Sequence, residues 1–305
     1  MFQLVGDTID LYRPEKTQYL KSLEYAKTLP PSSNPILVFH CFWRVPRPFG
    51  RKQAAMLKSV LVHHVNHLDH LEINLWSNVD LSKDPLLESI APWIRFRLWD
   101  YEVEKEGSLL EYCSIITKKT LDDSMYYLES DLFRLLVLHK YGGFYLDMDV
   151  LVLRSMAPLN DMEFAYQWGT SGTNPSEPIL KANNAVIRLH KGSPLSAELI
   201  ELLLRNVPIK DTTCWGSDLY SKLNNNSMVC LPGVWFDSEW CVEGARLNPF
   251  DPCDSIQLYE GAFTWHWHNQ WDAEIHERSK FQYIEQVHED VIRTLTSNKS
   301  ECRFV

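Results

Sequence analysis

The sequence lacks any long apolar run: no stretch approaches the roughly 18 residues that a membrane-spanning helix takes, and residues 1–30 hold no basic start followed by an apolar core. The expectation is a chain with neither leader nor membrane segment, resident in the cytoplasm. Excess positive charge is missing too. With 30 Lys+Arg against 40 Asp+Glu the net charge is -10, and a surface of that sign repels phosphate backbones, which argues against nucleic acid as a partner. The seven cysteines, at positions 41, 113, 214, 230, 241, 253 and 302, are odd in number and form no CxxC pair. Neither a zinc knuckle nor a disulfide framework is indicated, and a reduced compartment suits them. Two tripeptides of the glycosylation-acceptor pattern, at Asn225 and Asn298, need a secretory route that the sequence does not advertise.

What is present is the composition of a folded globular protein, 305 residues with 45% hydrophobic and 23% charged side chains. Residues 1–34 read as a polar, helix-leaning lead-in ending in the turn formers Pro30-Pro31-Ser32-Ser33-Asn34-Pro35. The apolar run 36–43 then suits a buried first strand, 52–67 shows helical spacing, and 71–78 and 94–101 read as further strands. This alternation predicts an α/β protein with the layout of a nucleotide-binding half-sheet. After Pro158 the pattern loosens to a polar loop at 169–178, a strand near 184–189, a helix over 194–204, an Asn-rich turn at 224–226 and a terminal helix in the last 25 residues.

Residues 126–153 are the most informative. Leu128, Leu132, Leu135, Leu136 and His139 recur at helical spacing, and Gly142-Gly143 supplies a left-handed stop. The following run reads as a strand with Tyr145, Asp147, Asp149 and Leu151 on one face. Two carboxylates about 7 Å apart on one side of an otherwise apolar strand call for a positive partner. A hard divalent cation that also takes diphosphate oxygens, Mg²⁺ or Mn²⁺, fits that need.

The string Ser130, Asp131, Arg134, Leu138, Gly142, Gly143, Tyr145, Asp147 and Asp149 resembles the sugar-nucleotide signature of glycosyltransferase family 32 and its relatives, which include initiating mannosyltransferases, α-1,4-galactosyltransferases and glucosylating toxin domains. The resemblance implies a GT-A-type, Rossmann-like nucleotide-sugar-binding fold with a mixed central sheet. It implies one domain over 1–305, with a nucleotide-binding half at 35–155, an acceptor-binding half at 156–275 and a C-terminal helix and tail at 276–305. On this resemblance Asp131 and Arg134 hold hydroxyls of the donor sugar, with Ser130 and Tyr145 beside them. Asp147 bridges ribose or sugar to the metal, and Asp149 ligates it directly.

Further residues follow the same resemblance. His40 and Trp43 match an opening HxxW in which the Trp stacks on the base, and Asn184 matches an Asn-Ala segment beside the sugar. His266-Trp267-His268-Asn269-Gln270-Trp271 is similar to a closing HWxxSW, departing from it at Gln270 and His268. It makes His266 the third metal ligand with His268 as alternate, lets Asn269 or Gln270 reach a phosphate oxygen, and offers the Trp271 indole N–H to the leaving diphosphate. The implied partners are a nucleotide-sugar donor, UDP before GDP, and a glycan or other hydroxyl acceptor. Transfer with retention to an α-linkage and Mn²⁺ or Mg²⁺ as cofactor complete the reading. Two other readings use the same residues: a metal-dependent phosphohydrolase or nucleotidyltransferase, and a non-catalytic glycan-binding module.

Overall fold

The structure is a computed structural model, and it describes residues 3–4, 16–117, 121, 126–171, 179–206, 214–220, 222–223, 228–243, 249–256 and 258–301. Strands run over Gln3–Leu4 (β1), Leu37–Trp43 (β2), Leu71–Ser77 (β3), Ile94–Leu98 (β4), Gly143–Leu146 (β5), Val150–Val152 (β6), Phe164–Ser171 (β7), Ile179–Leu189 (β8), Val229–Leu231 (β9) and Thr264–His266 (β10). The main sheet has the order β1-β9-β7-β8-β5-β2-β3-β4, while β10 and β6 form a separate two-stranded ribbon. β2 pairs in parallel with both β3 and β5, and β8 pairs antiparallel with both β5 and β7. The sheet is therefore mixed, as expected, and it takes strands from both halves of the chain.

Alternation along β2 divides the packing. Leu37, Phe39, Cys41 and Trp43 join one apolar cluster with the helix Arg51–His63 (α2), whereas Phe42 joins a second cluster with the helix Tyr126–Tyr141 (α3). Residues that face opposite sides of one strand thus anchor a layer each. The helix Lys16–Lys27 (α1) supplies Leu23 and Ala26 to the first cluster, and Pro194–Arg205 (α4) joins the second. A six-residue helix, Ser238–Glu243 (α5), and the long Lys280–Glu301 (α6) complete the elements that matter below. α6 lies on α2 through the pairs Arg51–Glu285 and Lys58–Glu289 and through His63 against His288.

The sequence reading needs correction in four places. The helix expected over 52–67 ends at His63 and gives way to a 3₁₀ segment, Val65–His70. The strand expected over 94–101 stops at Leu98, because Asp100 caps a helical turn by accepting from Glu102 N. Residues 169–171 belong to β7, and the strand near 184–189 begins at Ile179; the remainder of the expected loop and the turn at 224–226 lie outside the described residues. Most consequentially, the single strand expected through the aspartates is two. β5 ends at Leu146, Val150 N donates to Asp147 O at 3.2 Å to close a turn, and β6 then joins the other sheet.

The double glycine at the end of α3 is required by space as well as by dihedral. Gly142 has φ 71 and Gly143 φ 100, and a Cβ would come within 2.7 Å of Lys191 N at the first and 2.5 Å of Val38 O at the second. Only glycine lets the helix turn this tightly into β5 beside β2.

Candidate active site

The turn between β5 and β6 carries the two aspartates at the floor of a cavity of about 420 Å³. Asp147 is held from the α3 side. Tyr145 OH donates to its Oδ1 at 2.7 Å and Arg134 Nη2 at 3.1 Å, while the Asp147 backbone N donates to Ala185 O. Arg134 is buried and fully engaged: it also donates to Ser130 Oγ and, at 2.6 Å, to Asn184 O. Ser130 Oγ lies 2.8 Å from Tyr145 OH, so the α3 residues and the β5 residue form one network. Asn184 Nδ2 donates to Asp131 Oδ1 at 2.9 Å, drawing β8 into the same wall. Burial pushes the Asp131 carboxyl up to about 6 although Arg134 opposes it, and burial likewise raises Asp147 against the pull of Arg134.

Asp149 meets the other sheet. It is 2% exposed, its Oδ2 accepts from Asn269 N at 2.8 Å and lies 3.3 Å from His266 Nε2, and its Oδ1 is buried without a hydrogen-bond partner among the described residues. Burial works against its charge, but His266, the Asn269 N–H and His268 together outweigh burial and hold the carboxyl below the usual carboxylate range. Burial would lower His266, yet Asp149 lifts it to about 9. His266 Nδ1 is tied to Tyr166 OH at 3.0 Å, which leaves Nε2 directed at the acid. His268 Nε2 pairs with Asp237 Oδ2 at 2.7 Å, and one ligand atom from each of Asp237, His266 and His268 falls within 4.8 Å of the others. An orphaned buried carboxylate oxygen beside an oriented imidazole is a donor set suited to a divalent cation.

The opposite end of the cavity is aromatic and cationic. Trp43 is only 4% exposed and meets Trp271 edge-on at 5.3 Å, with the Arg47 guanidinium 5.6 Å from each ring. Arg44, paired with the buried Glu129, lines the same space. The segment that follows β10 is pinned from α2: Lys52 Nζ donates to the carbonyls of Gln270, Trp271 and Ala273. His268 and Asn269 in that segment carry positive φ of 52 and 60.

Of the residues expected from sequence, Ser130, Asp131, Arg134, Tyr145, Asp147, Asp149, Asn184, His266, His268, Asn269, Trp43 and Trp271 all line this cavity. His40 does not. Its ring accepts from Trp76 Nε1 and bonds Gly142 O beneath the sheet, and burial lowers it to about 3, so it is a neutral packing residue. Gln270 lines a neighbouring cavity instead, and the Trp271 indole N–H donates to Asn269 Oδ1 at 3.0 Å. Tyr166, Asp237, Arg44 and Arg47 were not singled out from sequence, because each reaches the site through a fold contact and none falls in the motif.

Residues 88–166 match the family model described as a glycosyltransferase sugar-binding region containing a DXD motif. A 94-residue stretch is 34% identical to an uncharacterized protein of Arabidopsis thaliana, covering 31% of this chain and 13% of that protein. Among solved structures, the glycosyltransferase GlyE of Streptococcus pneumoniae TIGR4 superposes with a TM-score of 0.51 at 13% identity, over 87% of this chain and 64% of its own. The PaToxG glycosyltransferase gives 0.48 at 17% identity, over 68% and 74%. The chain thus spans under two thirds of the length of the Arabidopsis relative and of GlyE. Residues 88–166 are thus similar to the DXD-containing sugar-binding region of glycosyltransferases, in agreement with the resemblance read from the motif, and the superposition on GlyE bears out the GT-A-type fold.

Proposed function

We propose that the chain transfers a sugar from a nucleotide-sugar donor, UDP-linked before GDP-linked, to an acceptor hydroxyl with retention at the anomeric carbon. The observation that carries this reading is the meeting, in one cavity, of a sugar-sized polar wall (Asp131, Arg134, Asn184), an acid turn with an orphaned oxygen, and a Trp43–Arg47–Trp271 end suited to a base and its phosphates. Asp149 and His266 would hold Mn²⁺ or Mg²⁺, with Asp147, and with His268 and Asp237, close by. When bound, the cation supplies positive charge to the departing diphosphate.

The chain's own residues do the rest. Arg134, locked by Ser130, Asp147 and Asn184, fixes the sugar end, and Asp131 offers an acceptor to its hydroxyls. Arg47, Asn269 and Trp271 face the phosphate end, where negative charge grows as the bond between the anomeric carbon and the phosphate oxygen breaks. The acceptor oxygen forms the new bond on the same face, and its proton leaves with the diphosphate. Incubation with UDP- and GDP-sugars and Mn²⁺ tests this. Release of free sugar and nucleoside diphosphate is expected; a sugar phosphate with a nucleoside monophosphate would instead identify phosphohydrolase or nucleotidyltransferase chemistry.

A further inference from the structure

A second cavity of about 570 Å³ abuts the first, and the two share Trp168, His266, His268 and Asn269 as a common wall. Its character is different. Trp168, near the end of β7, and Trp240, in α5, are nearly parallel, with ring centroids 5.5 Å apart and planes 18° from one another. The imidazole of His268 lies against both, at 5.1 and 4.8 Å. Each indole is half-buried, so the pair is neither core nor free surface. Around it stand groups that take hydroxyls: the amide of Gln270 and the carboxylates of Asp237 and Glu239, which are also paired with His268 and Lys280 respectively.

Flat apolar rings flanked by carboxylates and an amide match a pyranose, whose C–H face stacks on an aromatic while its equatorial hydroxyls donate to acceptors at the rim. The Asp237 carboxylate disfavours a phosphorylated ligand, and across the histidine wall the cavity adjoins the one that holds Asp147 and Asp149. We infer that this second cavity is the acceptor subsite and that the acceptor is a saccharide with an unphosphorylated pyranose resting on Trp168 and Trp240. This rests on reading the first cavity as the donor site.

The two readings separate in one set of titrations on the intact chain. Methyl glycosides of glucose, galactose and mannose, with maltose and lactose, are titrated by saturation-transfer NMR, and UDP with Mn²⁺ is titrated separately. At least one saccharide is expected to bind. Trp240→Ala should weaken it roughly tenfold and Trp240→Phe much less, the pattern of a lost stacking surface. Gln270→Leu, which leaves the aromatic pair in place, should weaken it through a lost hydroxyl contact. No saccharide binding, or wild-type titrations in both Trp240→Ala and Gln270→Leu, overturns the inference while leaving nucleotide binding intact. Saccharide binding without nucleotide binding overturns the donor-site reading and with it the acceptor role, leaving a saccharide site on Trp168 and Trp240.

Discussion

Asp149 does at the residue scale what its neighbour in the motif does not. Asp147 is held by Arg134 and Tyr145, whereas Asp149 keeps one buried oxygen with no hydrogen-bond partner among the described residues. Asp149→Asn should therefore abolish the strengthening of nucleotide binding by Mn²⁺ and bring turnover to background, with the fold retained by circular dichroism; calorimetric titration with and without metal checks it. Trp43→Ala should raise the UDP dissociation constant by roughly tenfold or more, since base stacking is worth about 1–3 kcal/mol, and an unaltered constant would return Trp43 to packing against Phe49 and Trp271. The two aspartates were legible because their motif is local: a helix, a glycine stop and a turn fix it within the twenty positions from Ser130 to Asp149. Tyr166 and Asp237 were not, since nothing in their own neighbourhoods marks an oxygen that will orient a histidine far along the chain. His40 was misread for the converse reason, a polar residue in an apolar run whose partners, Trp76 and Gly142, satisfy it inside the sheet.

Among elements, the contacts of α2 matter most. From its first turn Lys52 reaches three carbonyls of the segment that carries Asn269 and Trp271. Lys52→Met should leave those carbonyls without their donor, lowering stability by about 1–3 kcal/mol and raising the donor KM more than it lowers kcat; denaturant melts and steady-state kinetics together read this. At the other end of α2, burial lowers His63 to about 4, and His64 and, on α6, His288 to about 3. These imidazoles are neutral in the fold but take protons in the unfolded chain below their usual 6.5. Stability is thus fully present above that value and falls as pH drops from 6.5 toward 4. Urea melts across this range should show the loss, and His288→Gln should shallow it. Sequence patterning located α2, α3 and the inner strands well, because their apolar periodicity is strong. It failed at the break after Leu146, where alternation continues through residues that actually switch sheets, and at β7, whose Gly169-Thr170-Ser171 end has the composition of a loop.

For the whole molecule, the two cavities lie where the main sheet meets the β6–β10 ribbon, so ligand binding draws together both halves of the chain. Mn²⁺ with UDP, at about a hundredfold excess over its dissociation constant, should stabilise the fold by about 2.7 kcal/mol through mass action, visible as a raised thermal midpoint that chelation reverses. The fold class and the residues that gather in the first cavity could be read in advance, whereas the neighbouring cavity emerges only once β7, α5 and the closing segment converge. That convergence depends on one ladder: His266 lies opposite Val150, and Trp265 opposite Leu151. Because neighbours along a strand face opposite ways, a slip of a single rung would present indole to the aspartates and silence the centre. Pairing alignment, more than side-chain identity alone, is thus the quantity that mutations near this ribbon would corrupt.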